Sequence, residues 1–426
     1  MTGRPDGSGP GARHGPLRVL LVNGNFEDGT VGGTQTFTRN LAHALAEAGH
    51  EVAVLCQGDD DHQERVGPVR VFRVRPPVLR FGGDRYWAHL VNQTLAIQNP
   101  AVAPKVAAVL RGFRPQVCHV QMLRRLTPTV LAEVRRHPRV AVVQTVHEPF
   151  SLWNFNAYQR EETPDKLYTR RPAAVTVLKR HHRRLSATVD HLCAPSATAL
   201  SPYLADGYFT GVPRTIIPNT VPFEWGNPLH AARRRRQADA REDVTRFLFV
   251  GRLDHYKGVR PLLAAFEALD VPSARLDVAG EGILAAEVAE HARRDPRTTF
   301  HGPVEGERRR DLFDRADVLL CPSTWDEPFG LVVLEAYAAG LPVVVARSGA
   351  LPELVDDGGT GLVVAPGSAG ALTAAMRRVL DPADRHRMAA NAANRAWTYR
   401  PDRFLTDQLT VYHRALAARP RNGTRT

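Results

Sequence analysis

Two glutamates eight positions apart, Glu327 and Glu335, lie in the segment PSTWDEPFGLVVLEAYAAGLPVV (322–344). Glu327 falls in a short loop after Pro322-Ser323, and Glu335 about one turn inside a helix opened by Phe329 and Gly330. A carboxylate among Leu334, Ala336 and Tyr337 is costly unless donors meet it, and hydroxyl groups suit it as donors. The backbone N–H groups at the start of that helix, around Phe329, Gly330 and Leu331, lack intrahelical partners and attract an anion. The alternative, a capping Glu and a surface Glu, leaves the apolar neighbours of Glu335 unexplained.

A second loop, VGRLDHYKG (250–258), carries Arg252 and Lys257 after an apolar run. Arginine supplies a planar fork and lysine a mobile point charge, a combination that suits a diphosphate. Only four of the 56 basic residues are lysines, and Lys257 is one of them. In isolation a solvent-exposed lysine is the competing reading. Gly32-Gly33, after the first apolar run, would let backbone approach a ligand ahead of a helix N-terminus, although a tight turn explains the pair equally well. The spacing is not G-x-G-x-x-G, so a dinucleotide site is not expected. Two cations, a helix N-terminus and two hydroxyl-seeking carboxylates describe a nucleotide-sugar site.

These loops must be held by strands and helices. Short apolar runs alternate with helical periods: strands are expected at 17–23, 51–56, 69–74, 116–121, 140–146, 191–196 and 214–219, with a helix at 34–49. A polar, charged stretch at 222–243, including Arg233–Arg236, reads as an interdomain connection. A second series of strands follows at 246–253, 275–280, 298–302, 317–322, 342–346 and 361–365, and the last segment, 383–416, reads as helical. The alternation argues for an α/β chain of two Rossmann-like, doubly wound parallel-sheet domains, with ligands at the carboxyl ends of the strands and an interdomain cleft as the default site. The expected divisions are a disordered tail at 1–16, an N-terminal domain at 17–225 and a C-terminal domain at 226–400. A helix near 401–416 is expected to pack back on the first domain.

The chain has 426 residues, 43% hydrophobic and 23% charged, which is globular composition. Its formal charge is +12, but no zinc-finger spacing or RNP-type motif accompanies that charge, so nucleic-acid binding is not expected. The basic amphipathic segment 170–185 reads as a structural helix with a solvated face, and weak peripheral membrane contact is the alternative. The four cysteines, Cys56, Cys118, Cys193 and Cys321, are far apart and read as buried free thiols of a reducing compartment. The opening residues have no apolar stretch, and none in the chain approaches the roughly 20 residues that span a bilayer. A cytoplasmic protein, at most peripheral at the inner membrane face, is expected. Asp59-Asp60-Asp61 reads as a surface loop, and no metal site is expected.

The second half resembles the retaining GT-B glycosyltransferases of the GT4 family, the "glycosyl transferases group 1". The matching residues are G-R-L-x-x-x-K-G (251–258), G-E-G (280–282), P-S-x-x-E-x-F-G-x-x-x-x-E-A (322–336) and G-x-P-V-V (340–344). G-A-L-P-E (349–353) and G-T-G-L-V-V (359–364) match as well. The resemblance implies that Arg252 and Lys257 grip the pyrophosphate, Glu327 bonds the donor sugar and Glu335 the ribose. It implies that Phe329, Gly330 and Leu331 offer backbone donors, that Val304 meets the base, and that Gly33 lies near the phosphates. His147, in TVHEPF, resembles the active-site His near the transferred sugar; without the family it reads as a hydrogen-bonded loop residue. Two departures stand out: Thr220 replaces the usual glycine after Ile217-Pro218-Asn219, and Ser348-Gly349-Ala350 replaces a double glycine.

The implied activity is retaining transfer of a hexosyl or N-acetylhexosaminyl group from a nucleotide diphosphate sugar, UDP-linked, to a hydroxyl acceptor. No carboxylate offers itself as a nucleophile, so same-face displacement is expected, without metal or cofactor, the nucleotide sugar being a co-substrate. The acceptor would lie against the first half, where Glu148, Trp153 and Tyr86 are the candidate contacts. The alternatives are another GT-B enzyme such as an epimerase, which turns over donor without acceptor, and a non-catalytic nucleotide-sugar-binding protein.

Overall fold

Valine, leucine and alanine runs separated by helical periods become two sheets in the computed structural model. It describes residues 15–24, 26, 33–76, 99–123, 126–147, 172–221 and 244–419. The first sheet has eight strands: β1 (Arg18–Asn23), β2 (Glu51–Gln57), β3 (His62–Val66), β4 (Val69–Val74), β5 (Val117–Met122), β6 (Ala141–Thr145), β7 (His191–Ala194) and β8 (Arg214–Ile216). Their order is β3-β4-β2-β1-β5-β6-β7-β8. Among the described residues, the helices of this part of the chain are α1 (Gly33–Glu47), α2 (Ala103–Phe113), α3 (Thr129–Val134), α4 (Pro172–Ser186) and α5 (Ala197–Ala205). One strand departs from the expected all-parallel sheet: β3 runs antiparallel to β4. Its sequence, HQERV, is polar and largely exposed, and charged side chains suit a sheet edge.

The second sheet has six strands, β9 (Thr245–Val250), β10 (Ala274–Ala279), β11 (Thr298–Phe300), β12 (Val318–Cys321), β13 (Val343–Ala346) and β14 (Gly361–Val364), in the order β11-β10-β9-β12-β13-β14. Every pairing is parallel. Its helices are α6 (Val259–Leu269), α7 (Ala285–Arg294), α8 (Gly306–Arg315), α9 (Leu331–Ala338), α10 (Leu351–Leu354), α11 (Ala369–Arg378), α12 (Pro382–Ala396) and α13 (Pro401–Ala417). Alternate residues of β9 serve opposite faces. Leu248 and Val250 join a core with α9, while Phe247 and Phe249 join one with α6. Burial on both faces is why β12 and β13, VLLC and VVVA, read as continuous apolar runs.

Two compact units result. The first holds residues 1–144, 188–190 and 412–426; the second holds 145–187 and 191–411. The expected boundary at 225 lies outside the described residues, as does most of the expected tail. Within the first unit the end of α13 returns to β5: the Tyr412 hydroxyl and His119 Nδ1 are 2.8 Å apart and buried. Arg419 donates twice to Asp190, at 2.6 and 2.8 Å. All four cysteines are buried thiols outside any disulfide, and burial pushes those of Cys118, Cys193 and Cys321 up to about 12.

Candidate active site

The order of the second sheet reverses between β9 and β12, so the loops after these two strands flank a topological switch point. Those are the loops carrying Lys257 and Glu327. They touch at Gly258, whose φ is +73°; a Cβ there would lie 1.9 Å from the Pro322 carbonyl oxygen. Thr324 N–H donates to the Tyr256 carbonyl at 2.8 Å, closing the two loops on each other.

The functional side chains follow from that closure. Lys257 Nζ donates to Glu327 Oε1 at 2.6 Å, and Ser323 Oγ donates to the same oxygen at 2.6 Å. Glu327 is buried, and a cation and a hydroxyl meet its charge. Arg252 lies in the same loop as Lys257 but pairs with Asp254 at 2.6 Å, its guanidinium over the Tyr256 ring. The Tyr256 hydroxyl donates to the same buried Asp254, at 2.7 Å, so one carboxylate anchors both the arginine and its aromatic backing. Tyr256 also packs against Trp325, ring centroids 5.7 Å apart.

A third loop braces Glu327 from behind. Gly349 has φ +55°, and a Cβ there would meet Glu327 backbone nitrogen at 2.2 Å. Ala350 N–H donates to the Glu327 carbonyl at 2.8 Å, and the Ser348 hydroxyl donates to the Trp325 carbonyl. Of the two positions before Leu351-Pro352-Glu353 where the family has glycines, Ala350 contributes a backbone bond to the loop, and the one glycine retained, Gly349, is the one that space and φ require.

α9 begins directly after this loop. Among the described residues no side chain caps its start at Gly330, and Phe329 is buried against the apolar core beneath the loop. Seven of the eight residues of α9, LVVLEAYA, are apolar, and Glu335 is the exception. It is met by Arg309 of α8 in a two-bond fork, Nε to Oε1 at 2.9 Å and Nη2 to Oε2 at 2.6 Å. Val304 is buried between β11 and α8.

The remaining candidates lie on the first sheet's loops. Gly33 is the exposed first residue of α1, after β1, where Asn23 Nδ2 donates to Thr38 Oγ1 at 2.8 Å and to the Thr34 carbonyl at 3.3 Å. β1 sits at that sheet's own order reversal, between β2 and β5. His147 follows β6 and is buried; burial holds its imidazole down to about 3, so it is neutral at ordinary pH. Glu148, Trp153 and Tyr86, the acceptor candidates, lie outside the described residues. Ser323, Asp254 and Arg309 were not singled out from the sequence, yet each bonds a residue that was. Asp61 of the acidic run accepts from Lys105 Nζ at 2.8 Å and from Arg75 N–H at 2.7 Å. Among the described residues no cluster of three His, Cys, Asp or Glu is placed to hold a metal ion, and no helix is long and apolar enough to cross a membrane.

The family description "Glycosyl transferases group 1" matches residues 231–395, and "Glycosyl transferase 4-like domain" matches 32–220. Glycogen synthase of Mycobacterium tuberculosis is 31% identical over 401 residues, covering 89% of this chain and 90% of its own length. The chain belongs to the GT4 family, the glycosyl transferases group 1. Solved structures agree on the fold of this glycosyltransferase. Sucrose-phosphate synthase from Thermosynechococcus elongatus superposes with a TM-score of 0.72 at 23% identity, covering 94% of this chain and 100% of that one. Anabaena Alr3699/HepE, in complex with UDP, superposes with a TM-score of 0.67 at 19% identity, covering 93% and 99%. The glycosyltransferase thus has the GT-B architecture of two parallel-sheet α/β domains.

Proposed function

We propose that this glycosyltransferase moves a hexosyl or N-acetylhexosaminyl group from a UDP-linked sugar to an acceptor hydroxyl with retention of anomeric configuration. The observation that carries the reading is the Lys257–Glu327–Ser323 cluster at the switch point of the second sheet, beside the uncapped start of α9. Lys257 and Arg252 would take the diphosphate, each exchanging its present carboxylate for phosphate oxygens. Glu327, released by Lys257, would accept from a hydroxyl of the donor sugar, and Glu335 from the ribose. The complexes of Anabaena Alr3699/HepE with UDP and with UDP-glucose favour uridine as the base.

In the proposed reaction the bond from the anomeric carbon to the phosphate oxygen breaks while the acceptor oxygen bonds that carbon on the same face. The acceptor proton passes to the departing phosphate oxygen. Lys257, Arg252 and the amides at the start of α9 stabilise the negative charge that grows there. His147, neutral because it is buried, would hydrogen-bond the transferred sugar without adding a charge. Two side-chain cations take the part that a divalent metal plays elsewhere, so a chelator should leave the rate unchanged; loss of activity with EDTA and its return with Mn²⁺ would contradict this.

The test is thermal unfolding with UDP-, GDP-, ADP- and dTDP-sugars in metal-free buffer, followed by transfer assays with the stabilising donor. A ligand at 100 times its dissociation constant adds about 2.7 kcal/mol, which a melting curve resolves. The expected result is stabilisation by a UDP-sugar. Stabilisation by none would overturn the nucleotide-sugar reading.

A further inference from the structure

We propose that Glu353 and Ser196 are positioning residues for the transfer step. Together they fasten the start of α5 to the loop that carries Glu327, and so set His147 and Glu327 for the same donor sugar. This inference rests on the nucleotide-sugar reading above and deepens it.

The signal begins in the sequence of α5. Ser196 precedes the helix, and its Oγ accepts from Ala199 N–H at 2.9 Å, as an N-cap serine does. A capping box would place a glutamate three residues after that serine, but Ala199 stands there and the first turn holds no acidic residue. The carboxylate comes instead from far along the chain. Ala197 N–H and Thr198 N–H both donate to Glu353, at 3.0 and 2.9 Å, and the Thr198 hydroxyl adds a third bond at 2.7 Å. Bonds from helix amides to a carboxylate are charge-assisted and directional, so they fix where α5 starts relative to α10.

The same two residues bear on Glu327 from two sides. Ser196 Oγ, besides capping α5, donates to the carbonyl of Pro328, the residue after Glu327. Ser196 is buried, whereas Glu353 is exposed. Glu353 closes the segment whose Ala350 N–H donates to the Glu327 carbonyl. In the other direction, Ser196 follows the end of β7, where the Cys193 carbonyl accepts from Val146 N–H at 2.9 Å, and His147 is the next residue. A continuous path of backbone and hydrogen bonds thus joins His147 to Glu327 through β7 and Ser196, and every member lies in the second compact unit. Lys257 and Arg252 stand outside that path, so a diphosphate can be held without it. Groups that meet one sugar must keep their spacing, and a remote change that misplaces them by about 1 Å can cost on the order of 10²-fold in rate.

The test uses the full chain and UDP-, GDP-, ADP- and dTDP-glucose, with water standing in for the acceptor hydroxyl and released nucleoside diphosphate as the readout. Isothermal titration with the matching nucleoside diphosphate runs beside it. Glu353→Ala and Ser196→Ala are each expected to lower kcat by about ten- to hundredfold and to leave the diphosphate's Kd at the wild-type value. Glu353→Gln, which keeps one acceptor oxygen, should fall between. The deciding variant joins Glu353→Ala to Ala197→Glu. Ala197 is the exposed first residue of α5, and an acid there serves the helix start locally without tying it to α10. The double variant should recover the unfolding midpoint and still turn over slowly. If it recovers kcat, or if Glu353→Ala never loses it, Glu353 is only a helix cap and the proposal is wrong while the nucleotide-sugar reading stands. If Glu353→Ala weakens diphosphate binding as much as it slows turnover, the contact shapes the binding loops as a whole and the proposal is again wrong. If wild type cleaves none of the four sugars, both readings fail.

Discussion

Lys257 and Glu327 satisfy each other at 2.6 Å, so removing either changes two things at once, the charge at the diphosphate and the donors left to the partner. Ser323 still donates to Glu327 when Lys257 is truncated, which keeps the buried carboxylate hydrogen-bonded. Lys257→Ala is therefore expected to fold with a near-wild-type melting point and to lose about 10²–10³ in transfer rate, as when a donor to a developing anion is lost. Glu327→Ala should abolish transfer with the fold retained, and near-wild-type turnover in either variant would remove these residues from the site. His147 gives a second readout. Its imidazole is held at about 3 by burial, below the usual 6.5, and burial, followed by the nearby His181, holds His182 at about 3 as well. Between those pH values the unfolded chain binds protons that the folded chain refuses. Stability from these groups is thus complete above pH 6.5 and is lost as pH falls toward 3, by about 1.4 kcal/mol per pH unit for each. Melting curves from pH 7 to 4 should show that slope, made shallower by one proton in His147→Gln; equal slopes would contradict it. Lys257 stood out in the sequence because lysine is scarce here and follows a strand. Arg309 did not, because three adjacent arginines look alike until helix phase turns one of them inward.

The loops that carry these side chains depend on backbone that only glycine supplies. Gly258→Ala would put a methyl into the Pro322 carbonyl at positive φ, and Gly349→Ala would do the same to Glu327 backbone. Each should lower stability by at least about 1–3 kcal/mol and activity with it, read by denaturant unfolding beside a transfer assay. Gly370, near the start of α11, is the control, since a methyl added there would meet nothing within 4 Å: Gly370→Ala should be neutral or slightly stabilising. An undamaged Gly258→Ala protein would mean that the two loops do not close as described. Strands such as β1, β6, β12 and β13 were legible as apolar runs because parallel strands covered on both faces have no polar side to show. β3 was not, since an exposed edge strand of sequence HQERV carries no apolar signal and its partner β4 supplies the pairing.

The first unit is assembled from both ends of the chain. Tyr412 meets His119, and Arg419 meets Asp190, across hundreds of residues of sequence. Tyr412→Phe should cost about 1 kcal/mol, one buried hydrogen bond, in urea unfolding. Ending the chain after Val411 should cost far more and reduce soluble yield; a truncated chain as stable as the full one would show that these contacts contribute nothing. Sequence reading located α13 by its helical period, but not these partners, because no local pattern announces a contact between positions 119 and 412. The arrangement also sets a timetable for synthesis. Residues 1–144 emerge from the ribosome long before Tyr412 and Arg419, and at about 5–20 residues per second the wait is roughly 14–55 s. The half of the enzyme made first is finished last, and through that interval His119, which is buried in the finished fold, and Asp190 wait without these partners.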